Sequence, residues 1–139
     1  MSLDKENRDP GYRLGRLLAV LERVQNLAQN NPTKTIVDRY YGSASTRPGV
    51  VFPRLIALAQ HHLAKLKVGA ATFYQKLLGE VMDGVSAPFR PILSLEEQGQ
   101  FAVGYYHQRQ EFFKKAENKE LPESTENGEG EQDELRETS

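Results

Sequence analysis

Few side chains in this sequence invite chemistry. Three histidines, His61, His62 and His107, and one acidic pair, Glu80 and Asp83, are the candidates for metal or acid–base work. Neighbouring His61 and His62 point about 100° apart on a helix, so their ring nitrogens do not converge on one ion. Glu80 and Asp83, at i and i+3, share a helix face and could seat a divalent cation. No HExxH, GxSxG or Ser–His–Asp arrangement accompanies them, and the absence of Cys removes thiolate zinc sites, disulfides and cysteine nucleophiles. The expectation is no catalytic residue, no metal and no cofactor. One of the adjacent histidines should pack and the other face solvent, while Glu80 and Asp83 pair with nearby Lys or Arg. A helical hydrolase built on Glu80, Asp83 and a histidine around a metal is the enzymatic alternative.

Charge is more informative. The 139 residues carry a formal net charge of -1, but its distribution is polar. Residues 1–115 hold 16 Lys and Arg against 10 Asp and Glu, a net of +6, whereas residues 116–139 hold 2 against 9, a net of -7. Within residues 11–93 there are 11 basic and 4 acidic side chains, and seven of the basic ones are Arg. Arg is the cation whose planar fork binds phosphate bidentately, and clustered cations release counterions on meeting a polyanion. The basic residues are spread over several segments rather than gathered in one recognition helix, which suits backbone tracking better than base readout. Candidate contacts, chosen by charge and placement, are Arg13, Arg16, Arg23, Arg39, Arg47, Arg54, Lys65 and Lys67. Tyr40, Tyr41 and Tyr74 could stack on bases or fill the core.

The elements that must position these residues read as helices. Leu14, Leu17, Leu18, Leu21, Val24 and Ala28 follow the i, i+3, i+4, i+7 series over about Tyr12 to Gln29, with Arg13, Arg16 and Arg23 on the opposite, solvent face. Asn30-Asn31-Pro32 ends that helix. A short helix over Thr33 to Tyr41 stops at Gly42, and GSASTRPG (42–49) forms a loop around Arg47 whose backbone N–H groups could approach a phosphate. Val50 to Leu66 follows, with Pro53 in its first turn, then Ala70 to Asp83 with Phe73, Leu77, Leu78 and Val81 inward and Gly84 closing it. SAPFRPIL is a crossing loop. Ser94 and Glu97 make a capping box for a last helix reaching about Lys115, where Phe101, Tyr105 and Phe112 share a face and Arg109, within that stripe, needs a carboxylate or carbonyl partner. Gly99 and Gly104 suit close helix–helix approach. The sequence thus predicts an all-α fold: a polar leader (1–11), a compact bundle of about five helices (12–115), and a disordered acidic tail (116–139). No run of about 18 apolar residues and no apolar leader occur, so a soluble cytoplasmic protein is expected.

Several segments carry a resemblance. YRLGRLLAVLERVQ, DRYYGSASTRPGVVFPRL, LAQHHLAKL, YQKLLGEVMDGV and SLEEQGQFAVGYYHQRQEFF, in this order over about residues 12–113, resemble the C-terminal helical region of the type I-C CRISPR Cascade large subunit. In that family several hundred residues precede this region and recognise the PAM. The resemblance therefore implies the separate small subunit, made from an internal start site. It further implies a non-catalytic component that helps hold target DNA and the displaced strand of the R-loop, with cleavage left to a recruited helicase-nuclease. Implied partners are the Cascade backbone subunits, the large subunit and the crRNA–target DNA R-loop, with more than one copy per complex and no membrane. Gly104, Tyr105, Tyr106, His107, Gln108 and Arg109 read as the packing signature rather than the DNA surface. The alternative is a helical protein–protein adaptor whose basic face meets acidic partner subunits without touching nucleic acid.

Overall fold

The computed structural model describes residues 2–85 and 89–123, with side chains as far as Lys114. Regular structure among them is helical throughout: α1 (Pro10–Ala28), α2 (Ile36–Thr46), α3 (Pro48–Ala64), α4 (Val68–Asp83) and α5 (Leu95–Glu123). The all-α expectation holds. Contacts divide the chain into residues 1–109 and residues 110–139; the packing described below belongs to the first, and the second supplies the helical residues up to Glu123. The last helix therefore passes the Lys115 end expected for it and takes in residues 116–123 of the expected acidic tail (116–139), whose remainder lies outside the described residues. No described helix is long and apolar enough to cross a membrane.

Local chemistry explains the helix ends. Asp9 caps α1 by accepting from Gly11 and Tyr12 N–H, and Pro10 sits where its missing N–H costs nothing. Asn30 and Asn31 close it with φ of 57° and 55°, and Asn31 N–H reaches Asn26 O at 2.8 Å. A capping box not expected from the sequence starts α2: Thr35 Oγ1 accepts from Val37 N–H and Asp38 Oδ2 accepts from Thr35 N–H. The box predicted at Ser94 and Glu97 is present, with bonds of 2.9 and 3.1 Å.

Two expectations about the middle of the chain are corrected. Residues 42–46 are helix, not loop, and only Arg47 separates α2 from α3. Ser45 and Thr46 hydroxyls fold back onto the Gly42 carbonyl at 3.0 and 2.8 Å, and Ala44 and Ser45 are buried, so small residues here make a helix that can sit inside. Pro53 lies inside α3 rather than in its first turn, which Pro48 occupies. In α4 the inward residues are Tyr74, Leu78 and Val81, while Phe73 is half-exposed and meets the Tyr74 ring edge-on.

The helix α1 is central. It packs on α2, α3 and α4, and its Leu17, Leu18, Val20, Leu21 and Val24 are sealed from solvent. Its remaining side lies against α5 at backbone contact. A Cβ on Gly15 would strike the Phe101 carbonyl, one on Gly104 the Tyr12 carbonyl, and one on Gly11 the Glu97 carbonyl. Residues 11, 12 and 15 of α1 thus meet residues 97, 104 and 101 of α5 backbone to backbone. Gly99, expected at such an approach, has nothing within 4 Å of its would-be Cβ. An aromatic group completes the core: Phe101 meets Tyr41 edge-on at 5.4 Å, and Phe52 stacks on Phe89 of the crossing loop.

Gly15→Ala is expected to lower unfolding free energy by about 1–3 kcal/mol, because backbone must move to admit the methyl group. Gly99→Ala should raise it by roughly 0.5–1 kcal/mol through helix propensity alone. Urea unfolding followed by circular dichroism separates the two.

Candidate nucleic-acid interface

The eight basic residues named from the sequence divide into two groups. The three on α1 do not share a solvent face. Arg16 is 5% exposed and donates from Nε to Gln108 Oε1 at 2.9 Å. Burial first, then the neighbouring Arg13, lowers its pKa from the ordinary arginine value. Arg13 is half-buried, with its guanidinium laid where a Gly84 Cβ would be, at the C-terminal end of α4. Arg23 is half-buried and donates from Nε to Tyr74 Oη at 3.2 Å. The apolar stripe of α1 was legible, but its opposite side is lined by Gly11, Gly15 and Ala19, which let α5 close over it. Small residues at every fourth position mark a helix row that another helix can enter, and this was the available signal.

Most of the segment Gly104–Arg109 is engaged in the fold, although Tyr106 is 54% exposed and Arg109 lies at the surface. His107 Nδ1 lies 2.9 Å from Tyr12 Oη, which also accepts from Asp4 N–H. Tyr105 donates to Glu22 Oε1 at 2.6 Å, and Thr35 Oγ1 donates to Glu22 Oε2 at 3.1 Å. Burial and the Glu22 carboxylate push the Tyr105 hydroxyl well above the ordinary tyrosine range, so it stays a donor. Arg109 finds the carboxylate partner expected of it, its Nε 3.9 Å from Glu22 Oε1.

The second group is exposed. Arg39, Arg47, Arg54, Lys65 and Lys67 all face solvent, and among the described residues no carboxylate pairs with any of them. Arg47, Val50, Arg54, Leu58, His61 and Lys65 fall within one 80° sector at about 100° per residue, so they form a single outward line along α3. The line spans about 27 Å at 1.5 Å per residue. Helix α3 contains no Asp or Glu, and Lys67 at the N-cap of α4 extends the positive run. Arg39 stands separately on α2.

The other candidates resolve as follows. Arg47 N–H bonds to Ser43 O, Val50 N–H to Arg47 O and Gly49 N–H to Arg90 O, so the 42–49 backbone has no donors turned toward a phosphate there. Tyr41 packs edge-on to Phe101 and Tyr105, and Tyr74 is buried, so neither offers a stacking face. His62 is buried against Gln29 while His61 is exposed, as the helical phase required. Glu80 and Asp83 are exposed, and the described residues contain no group of three or more His, Cys, Asp or Glu that could hold a metal ion.

Burial first, then Lys65 and His61, lowers the pKa of His62 below the ordinary 6.5. Folding therefore favours its neutral form. That contribution is complete above the unfolded value and is lost as pH falls through the folded one. The urea midpoint is expected to drop between about pH 7 and pH 5, and to drop less in His62→Gln. Tyr105→Phe leaves Glu22 short of a donor and should cost about 1.5–3 kcal/mol in the same assay.

Comparison with known proteins gives one family. A family model described as CRISPR-associated protein (Cas_Csd1) matches residues 1–113, the portion that holds α1 to α4 and most of the described α5. No curated protein matches the chain.

Proposed function

The chain belongs to the CRISPR-associated Csd1 family (Cas_Csd1), and from that premise we propose that it is a non-catalytic small subunit of a type I-C Cascade complex. In this reading it holds target DNA and the displaced strand of the R-loop by their phosphates. The supporting observation is the outward line of α3, with Arg47, Arg54 and Lys65 at helical spacing, no carboxylate on the helix, and Lys67 beyond. Fixed cations at such intervals attract a chain of phosphates irrespective of sequence. Exchange of a DNA duplex for a guide heteroduplex is nearly balanced, so a few backbone contacts suffice to tip it. The partners in this reading are the crRNA-bound backbone subunits, the large subunit and the R-loop, with more than one copy of the chain in the complex.

The exposed Val50 and Leu58, interleaved with the cations, support the second reading, an adaptor surface for an acidic partner subunit. One experiment separates them. The triple variant Arg47→Gln/Arg54→Gln/Lys65→Gln is assayed for single-stranded DNA binding by fluorescence anisotropy across a salt series, and for incorporation into the reconstituted complex. A DNA-binding role predicts weaker affinity and a log–log salt slope shallower by about 0.7 for each phosphate that is no longer neutralised. Unchanged DNA affinity with failed incorporation would establish the adaptor instead.

A further inference from the structure

A cleft separate from the α3 line lies where α1 begins, walled by Arg8, Pro10, Leu14, Gly84, Val85 and Arg90. Its volume of about 70 Å³ is several times the roughly 10–15 Å³ that one water requires. We propose that this cleft is an oxyanion site that takes a phosphate group between Arg8 and Arg90. Arg90 is held in place from both ends. Its carbonyl accepts from Gly49 N–H at 3.0 Å, and its Nη1 donates to Glu97 Oε2 at 2.5 Å. Glu97 is itself locked in the Ser94 capping box, which keeps its pKa below the usual carboxylate range and maintains the charge facing Arg90. Arg8, on the other wall, has no hydrogen bond or ion pair among the described residues.

Three guanidiniums stand at or beside the cleft. The Arg13 guanidinium rests on Gly84, one of the lining residues. Of the carboxylates nearby, Glu97 pairs with Arg90 and Asp9 caps α1 through Gly11 and Tyr12, while Asp83 adjoins the lining residue Gly84. Pro10, Leu14 and Val85 supply apolar walls, which strengthen an ionic contact made inside. A tetrahedral oxyanion can accept from two guanidinium forks at once, so phosphate fits better than a planar carboxylate. A backbone phosphate of a nucleic acid and free inorganic phosphate share this chemistry.

The test is a titration of the ¹⁵N-labelled full chain with inorganic phosphate at constant ionic strength, read on arginine Nε–Hε signals, with acetate as the carboxylate control. The site predicts saturable shifts at Arg8, Arg13 and Arg90, and phosphate affinity about tenfold weaker in Arg8→Gln. Lys5→Gln, whose side chain is exposed and outside the cleft, should leave affinity unchanged. Non-saturable shifts, equal affinity in Arg8→Gln, or acetate binding as tight as phosphate would overturn the proposal. A short single strand that displaces phosphate would assign the site to a nucleic-acid backbone, and one that does not would assign it to free phosphate. The inorganic titration stands whether or not the α3 line binds DNA, so the two readings fail separately.

Discussion

The contact between α1 and α5 sets the terms for the rest of the molecule. Gly11 and Gly15 on one helix and Gly104 on the other remove the side chains that would hold the axes apart, so backbone meets backbone. Such an approach leaves no room for water, and every polar group brought to it must find a protein partner. Tyr12 with His107, Arg16 with Gln108, and Glu22 with Tyr105 answer that requirement one after another along the seam. Arg16 makes the cost plain: a guanidinium faces a neutral amide, and burial disfavours its charged form. Replacing Gln108 by an apolar residue would leave that charge buried without an acceptor, the most expensive way to break such a pair.

Because α5 closes over α1, the helix richest in spaced arginines is turned inward and its positive charge does structural work. Arg13 lies over the end of α4, Arg16 is tied to α5, and Arg23 is tied to Tyr74 of α4. The family assignment makes the chain a CRISPR-associated protein. It leaves the positive surface to be found, and α3 supplies one by a simple device. Its inner positions, Val51, Phe52, Leu55, Ala59 and Leu63, are apolar and buried, and its outer ones carry cations with no acid between them.

Much of this was legible in the residues. The five helices follow from apolar periodicity, the α1 terminus from Asn-Asn-Pro, the α5 start from Ser94 and Glu97, and the partner of Arg109 from the cost of leaving a guanidinium among aromatics. What was hidden has a common cause. Periodicity counts large apolar side chains, so a face made of Gly11, Gly15 and Ala19 registers as solvent-exposed although it packs most tightly. The same bias turned Gly42–Thr46 into a loop, where back-bonded hydroxyls and two small buried residues in fact continue a helix. In α4 the pattern could not decide between Phe73 and Tyr74, because the choice rests on a hydroxyl that meets Arg23 from another helix.

Recognisability and exposed positive charge part company here for a physical reason. Gly104, Tyr105, His107, Gln108 and Arg109 each engage a defined atom of α1, and a substitution at any of them breaks a pairing across a seam that has no slack. Such residues form a distinctive string because geometry allows few alternatives. Phosphate attraction asks less. A cation at roughly the right interval serves whether it is Arg or Lys, and whether it stands on α2, α3 or the α4 cap. A surface of that kind leaves no motif, only a charge balance and a helical phase, and it becomes visible once burial has removed the arginines that the fold keeps for itself.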